Sequence, residues 1–265
     1  MATYGLTKFS DYSEEELTRI SSGLTPELQN VDPSKYVIVD SEDIPEAFDL
    51  REHNGVTPVR DQGWCGSCYA FGSVAAVESQ LLIHRNLSTY LSIEEILACT
   101  YHNKKYGNYS GCDGGLPDGV YDFVKDNGIT DNEHWKYDDT QEEFNGTCPL
   151  EGKPVITKLE DVILLPPNNA DNLKAALYTY GPVSAELNGF LLDCYEGGII
   201  TKDYHHNRTH LVLIVGYGEE NNTKYWSVKN SWGSDFGENG YFRIQRGVDM
   251  WGIEQWLLQI PKLLQ

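Results

Sequence analysis

Basic residues are scarce in this chain, and no stretch approaches the roughly 18 consecutive apolar residues that a membrane-spanning helix requires. Twenty Lys and Arg stand against forty Asp and Glu, for a formal charge of −20. Nucleic acid and anionic membrane surfaces both select clustered cations, so neither is an expected partner. The acidic excess serves solubility and suits an acidic medium, where partial protonation relieves self-repulsion. No His, Cys and carboxylate cluster falls at metal-ligand spacing, so neither a metal nor a cofactor is expected. His205-His206 reads as a solvated loop, and His53, His84, His102 and His134 read as surface residues. An apolar leader is missing at Met1. Six cysteines permit many pairings, and spacing alone does not choose among them.

What is present begins with Gln62-Gly63-Trp64-Cys65-Gly66-Ser67-Cys68-Tyr69-Ala70-Phe71. Apolar residues then recur at helical spacing to about Arg85, with Ser67 available as a cap, so Cys68 falls in the first turn of a helix. Unpaired amides and the helix dipole favour an anion there, which lowers a thiol's pKa. C-x-x-C alone is equally compatible with a structural or redox pair. A cysteine hydrolase needs a histidine partner, a group that orients the histidine, and an oxyanion donor. Candidates stand far apart in the chain: His210 opens the apolar run Leu211–Val215, Asn230 sits in YWSVKNSWG, and Gln62 carries an amide.

The order Gln, Cys, His, Asn resembles the papain-like cysteine peptidases. So do QGWCGSCYAF, LSIEEILAC, GCDGGLPDG, YGPVSAEL, YEGGI, THLVLIVGYG, YWSVKNSWG, FGENGYFRI and IEQWLLQIP, in the family's order over nearly the whole chain. The resemblance implies an α+β, papain-like two-domain fold with the active-site cleft between a helical and a sheet-rich half. It implies a cysteine endopeptidase acting through a thiolate-imidazolium pair and an acyl-thioester, with Gln62, Cys68, His210 and Asn230 as catalytic residues. It pairs Cys65 with Cys112 and Cys99 with Cys148, leaving Cys68 free. Positions of the family's third bridge hold Tyr204 and Trp251, where an aromatic contact replaces the bond, and Cys194 reads as a small buried hydrophobe rather than a reactive thiol. Tyr69 replaces the usual Trp, Thr209 the usual Asp or Asn, and Trp64 stands where a small residue is common.

Substrate-binding positions follow by alignment: Gly114, Gly115, Leu116, Pro117, Glu186, Leu211, Trp232 and Trp256, with Trp232 also shielding the His210–Asn230 hydrogen bond. Gly114-Gly115 allows close approach of an extended substrate backbone. Alternation in Val183–Leu187 turns Ser184 and Glu186 to the face opposite Val183, Ala185 and Leu187. Glu186 then suggests a second pocket that tolerates or prefers a basic side chain such as Arg, unless it faces outward.

The composition divides the chain into residues 1–43, 44–150 and 151–265. Gly5-Leu6-Thr7-Lys8-Phe9-Ser10-Asp11 resembles the end of the family's inhibitory propeptide, and Ser13 with Glu16 forms a capping box. The long propeptide helices that usually precede it are absent, which reads as a truncated precursor, a partial gene model or an engineered start, and strong self-inhibition by this remnant is not expected. A polar linker over 24–43 follows, and the mature enzyme begins near Ser41 to Pro45. Helices are expected at Ser67–Arg85, Ser92–Ala98, Pro117–Asn127 and Ala170–Thr179. Strands are expected at Val162–Leu165, Val183–Leu187, His210–Gly216, Tyr225–Lys229 and Tyr241–Gln245.

Sequons at Asn86, Asn108, Asn145, Asn207 and Asn221, together with disulfides, suggest a glycoprotein on the secretory route, either lysosomal/endosomal or secreted. A glycan on Asn207 would crowd His210. Expected partners are polypeptide substrates and cystatin-like or propeptide-like inhibitors, with the chain a monomer. An exopeptidase is a second reading, since the C-terminal segment is also similar to dipeptidyl relatives, although no exclusion domain or insertion after Gly115 is visible. A catalytically silent binding protein and a Cys65/Cys68 oxidoreductase remain as other classes.

Overall fold

The computed structural model describes residues 1–21, 23–24, 31–40, 43–139, 147–204 and 207–265. The Asn145 sequon, His205-His206 and part of the expected mature start lie outside the described residues. In chain order the elements are β1 Thr3–Tyr4, α1 Glu14–Ser21, β2 Phe48–Asp49, α2 Cys68–Arg85, α3 Ile93–Thr100, α4 Pro117–Asn127 and β3 Leu159–Leu165. There follow α5 Ala170–Tyr180, β4 Val183–Leu187, β5 Tyr195–Gly197, β6 Ile199–Ile200, β7 His210–Glu220, β8 Thr223–Lys229, β9 Tyr241–Gln245 and β10 Leu258–Leu263.

Helix α2 is apolar on nearly every side because it is wrapped on nearly every side. Tyr69, Ala70, Val74, Val77 and Leu81 are buried, and the polar Gln80 is also buried, its amide donating to the carbonyl of Tyr180 at 2.8 Å. Asn86 ends the helix in a left-handed conformation at φ 51°, with its amide returning to the carbonyls of Leu81 and Leu82. Ser67 occupies the cap position, but its hydroxyl reaches the Cys65 carbonyl and the Tyr137 hydroxyl rather than a helix amide. The cap at Ser92 behaves as expected, accepting from the amide of Glu95 at 3.0 Å. One apolar cluster gathers α2, α3 and α4. A second lies around the sheet and takes in Val183, Ala185, Leu187, Ile214, Trp226 and Phe242.

The large sheet runs β3-β10-β4-β7-β8-β9-β6, with β2 on β7, and is antiparallel except for the β6–β9 pair. Strands β4 and β9 match the expected spans, while β3, β7 and β8 each extend beyond them. Strand β10 lies outside the expected strands and carries Pro261, a residue that sheets confine to edges, strand starts and bulges. It nevertheless lies between β3 and β4, where it is laddered along β3 but meets β4 only at Gln259–Ser184, so Pro261 forfeits little pairing. Cys65 is bonded to Cys112 and Cys99 to Cys148, and Tyr204 meets Trp251 at 6.5 Å between ring centroids. His53, His84, His102 and His134 are exposed.

Candidate active site

The head of α2 and the head of β7 meet at Cys68. The backbone amide of Leu211, one residue after His210, hydrogen-bonds the Cys68 sulfur, and the Leu211 side chain packs so closely on Gly72 that a Cβ there would sit 2.8 Å from it. Strand pairing Leu187↔His210 and Glu186↔Leu211 fixes where β7 begins. The turn after β8 brings Asn230 beneath the imidazole: His210 Nε2 lies 2.8 Å from Asn230 Oδ1. That oxygen also accepts the amide of Ser231 at 2.9 Å, which identifies it as oxygen and makes Nε2 the donor. In the neutral ring Nδ1 is therefore a bare acceptor, and it is buried without a hydrogen-bond partner among the described residues. Trp232 is 1% exposed and lies 5.0 Å from His210, roofing the His–Asn bond.

Gln62 is held rigidly from both ends. Its Oε1 accepts from the Ser231 hydroxyl at 2.6 Å, and its Nε2 donates to the carbonyls of Cys65 at 2.9 Å and Ile20 at 3.2 Å. The third contact comes from α1, so the N-terminal segment lies across the site. The amide of Gly23 hydrogen-bonds the Cys68 sulfur, and its carbonyl accepts from the Gly115 amide at 3.2 Å. Leu24 then bridges Gly115. Upstream, Phe9 packs edge-on against Trp232 at 5.2 Å, Lys8 pairs with Asp61 and Asp235, and β1 pairs with β5. The capping box of Ser13 and Glu16 forms as expected. Contacts from Phe9, Ile20, Gly23 and Leu24 together seat the segment on the thiol.

That cover reverses the titration expected from the helix terminus. Burial pushes the Cys68 thiol up to about 12, outweighing the hydrogen bonds from Leu211, Gly23 and Tyr69, and the Glu186 charge adds to the rise. Burial likewise holds His210 down at about 4, although its bond to Asn230 opposes this. Desolvation thus favours the neutral form of both groups.

Among the positions expected to bind substrate, Gly114 adopts φ +114°, and a Cβ on Gly115 would lie 2.6 Å from the Tyr69 ring, so neither tolerates a side chain. Leu116 and Pro117 are buried at the start of α4, and Leu116 and Leu211 belong to the same cluster as Cys68 and Leu24. Trp256 is half-buried and its indole nitrogen lacks a partner among the described residues. Ser184 and Glu186 do lie on the face opposite Val183, Ala185 and Leu187, and Ser184 accepts from the Tyr121 hydroxyl at 2.9 Å. Glu186 is fully buried, so it does not face outward, but it is not an open anion: Arg208 Nη1 lies 3.1 Å from its Oε2. Desolvation raises Glu186 to about 7, with Arg208 opposing the shift. Arg208 carries no signal in the sequence beyond its place two residues before His210.

Behind the site, Lys229 is buried and donates to the Thr57 carbonyl at 2.8 Å, while Glu78 accepts from Thr57, the Leu91 amide and Arg60. Burial lowers Lys229 to about 8. Among the described residues, three or more potential metal ligands nowhere form a group.

Residues 44–259 match the family described as papain family cysteine protease. The viral cathepsin of Autographa californica nuclear polyhedrosis virus is 32% identical over 255 residues, covering 95% of this chain and 76% of the viral one. The oryzain gamma chain of Oryza sativa subsp. japonica is 35% identical over 256 residues, covering 94% and 68%. The structure of digestive procathepsin L2 proteinase from Tenebrio molitor larval midgut superposes with a TM-score of 0.86 at 29% identity, covering 99% of this chain and 84% of that one. With the matched region spanning most of its length and its α+β fold shared with a procathepsin, this chain belongs to the papain family of cysteine peptidases.

Proposed function

We propose that Cys68, His210, Asn230 and Gln62 perform peptide hydrolysis in this cysteine endopeptidase, and that residues 1–24 hold it closed until they are removed. The observation that carries the assignment is the imidazole fixed by Asn230 through Nε2, with its unpartnered Nδ1 buried beside the element whose next amide touches the Cys68 sulfur. Once the cleft is open, Nδ1 takes the thiol proton and the sulfur attacks the peptide carbonyl. Gln62 Nε2 and the Cys68 amide then stabilise the oxyanion. His210 next gives the proton to the leaving amine, forming the acyl-thioester. Water, deprotonated by His210, attacks that ester and regenerates the thiol. The Ile20 carbonyl now on Gln62 Nε2 sits on the donor that the oxyanion would use.

Gly115, with Leu116, Pro117 and Leu211, serves the acyl side of the substrate in this reading. Glu186, already matched by Arg208, shapes the second pocket together with Trp256. Residues 44–150 and 151–265 form the two walls of the cleft. Cystatin-like proteins fit as further inhibitors. The exposed sequon asparagines Asn86, Asn108, Asn207 and Asn221 support a glycosylated protein of an endosomal, lysosomal or extracellular compartment.

Titration with an epoxide thiol inhibitor tests the assignment. After proteolytic processing of the full chain, one equivalent should add at Cys68 by mass and abolish peptide hydrolysis. Labelling elsewhere, or labelling at Cys68 without loss of hydrolysis, refutes it. The Cys65–Cys112 bond already removes the redox pair that an oxidoreductase would need.

A further inference from the structure

Trp64 is an exposed indole two residues beyond Gln62, and it remains 43% exposed even though Tyr12 lies flat upon it, at 4.3 Å between ring centroids and 17° between planes. The stack belongs to a continuous row of rings. His210 meets Trp232 at 5.0 Å, Trp232 meets Phe9 at 5.2 Å, Phe9 meets Tyr12 at 5.3 Å, and Tyr12 covers Trp64. Phe9 and Tyr12 come from the N-terminal segment, whereas Trp232 and Trp64 come from the cleft wall. Removal of the segment therefore leaves two indoles with the places of two aromatic rings between them.

The side of the thiol on which this space lies follows from the chemistry. His210 protonates the leaving amine, so the leaving portion of the peptide must pass His210 and its roof, Trp232. Gly115 lies on the other side, where Leu24 bridges it. The geometry points to Trp64 as a specificity-determining residue that stacks an aromatic side chain, Tyr, Trp or Phe, carried by the leaving portion of a peptide substrate two or three residues beyond the cut bond. Tyr12 is the intramolecular occupant of that place. The inference rests on the peptidase assignment of Cys68 and His210, and it adds a preference that the acyl-side residues do not provide.

The test uses the full chain, nicked after folding within residues 31–47, with open sites counted by epoxide labelling at Cys68. Internally quenched peptides identical on the acyl side carry Tyr or Ala at the second and third positions after the cut bond. Stacking of this kind should favour the Tyr peptides by about three- to tenfold in kcat/KM. W64A should bring the Tyr-to-Ala ratio to within about twofold of unity, and W64F, which keeps a ring, should retain most of the preference. A flat ratio in the unmodified chain, or a preference that survives in W64A, overturns the role of Trp64 while leaving the peptidase reading intact. Absence of both Cys68 labelling and peptide cleavage overturns the two together.

Discussion

At Gly23 the N-terminal segment fits tightly against the wall beside Cys68, and substituting it should open the enzyme without cutting the chain. A Cβ built there would lie 2.4 Å from the Gly66 carbonyl oxygen and 2.7 Å from the Cys68 sulfur, whereas ordinary van der Waals contact begins near 3.4 Å. The wall does not yield easily. The amide of Gly66 is bonded to the Cys112 carbonyl at 2.9 Å, and the neighbouring Cys65 is tied covalently to Cys112. Relief must come from the segment, which is attached here by single hydrogen bonds to Gly115, Gln62 and the sulfur. Overpacking of this size costs about 1–3 kcal/mol, which converts to roughly five- to 150-fold in the population of the displaced segment. In the intact chain, alkylation of Cys68 by iodoacetamide, read by peptide mapping, should accelerate by about that factor in Gly23→Ala. Leu6→Ala, at a side chain 89% exposed, is the control and should leave the rate alone. A Gly23→Ala rate within about twofold of the unmodified chain would refute the claim that fit at Gly23 keeps the thiol covered.

Asn230→Ala should lower kcat by about 10- to 100-fold with a smaller change in KM, since a hydrogen bond to a group that becomes charged is worth about 1.5–3 kcal/mol; steady-state kinetics showing less than a threefold loss would remove its orienting role. Arg208→Gln should raise hydrolysis of Arg-Arg over Phe-Arg dipeptidyl substrates several-fold by letting a substrate arginine take the place Arg208 holds beside Glu186, and Glu186→Ala should not. An unchanged ratio in both variants would take the pair out of the pocket. Glu94, 4% exposed, is raised from 4.5 to about 7 by burial, with the charge of Asp138 adding and the Asp138 amide opposing. A raised carboxyl contributes stability that is complete below about 4.5 and lost as pH climbs through about 7, so the chain should unfold at lower urea concentration at pH 8 than at pH 5. Glu94→Gln should flatten that difference by about 1–3 kcal/mol, and an identical pH dependence in the variant would show that Glu94 does not titrate in this range.

The parts of this molecule legible in its sequence are those governed by nearby residues. The span of α2, the cap at Ser92, the alternation in β4 and the box at Ser13 and Glu16 each depend on neighbours a few positions away, and each is present. What escaped depends on distant partners. Pro261 argues against a strand until β10 is seen to meet β4 at one residue pair. Alternation gives the face of Glu186, but not the arginine 22 residues along that the β4–β7 register delivers to it. Trp64 has no local role at all, because its partner is Tyr12 in a segment that must first fold back across the cleft.

The same non-local cover explains why the thiol titrates opposite to its helix-end position. Cys68 is raised and His210 lowered by one cause, loss of water, so exposing the cleft relaxes both toward each other: the thiol falls while the imidazole rises. A proton that leaves sulfur for Nδ1 stays within the pair, so forming the thiolate-imidazolium state takes up no proton from solution. Elsewhere along the segment, Glu16 is a titrating group at the start of α1. Its carboxylate, held low by the Ser13 amide and hydroxyl, supports the start of α1 above its ordinary range and ceases to do so as pH falls through its lowered value. Lowering the pH through that value should loosen the start of α1, the helix that presents Ile20 to Gln62.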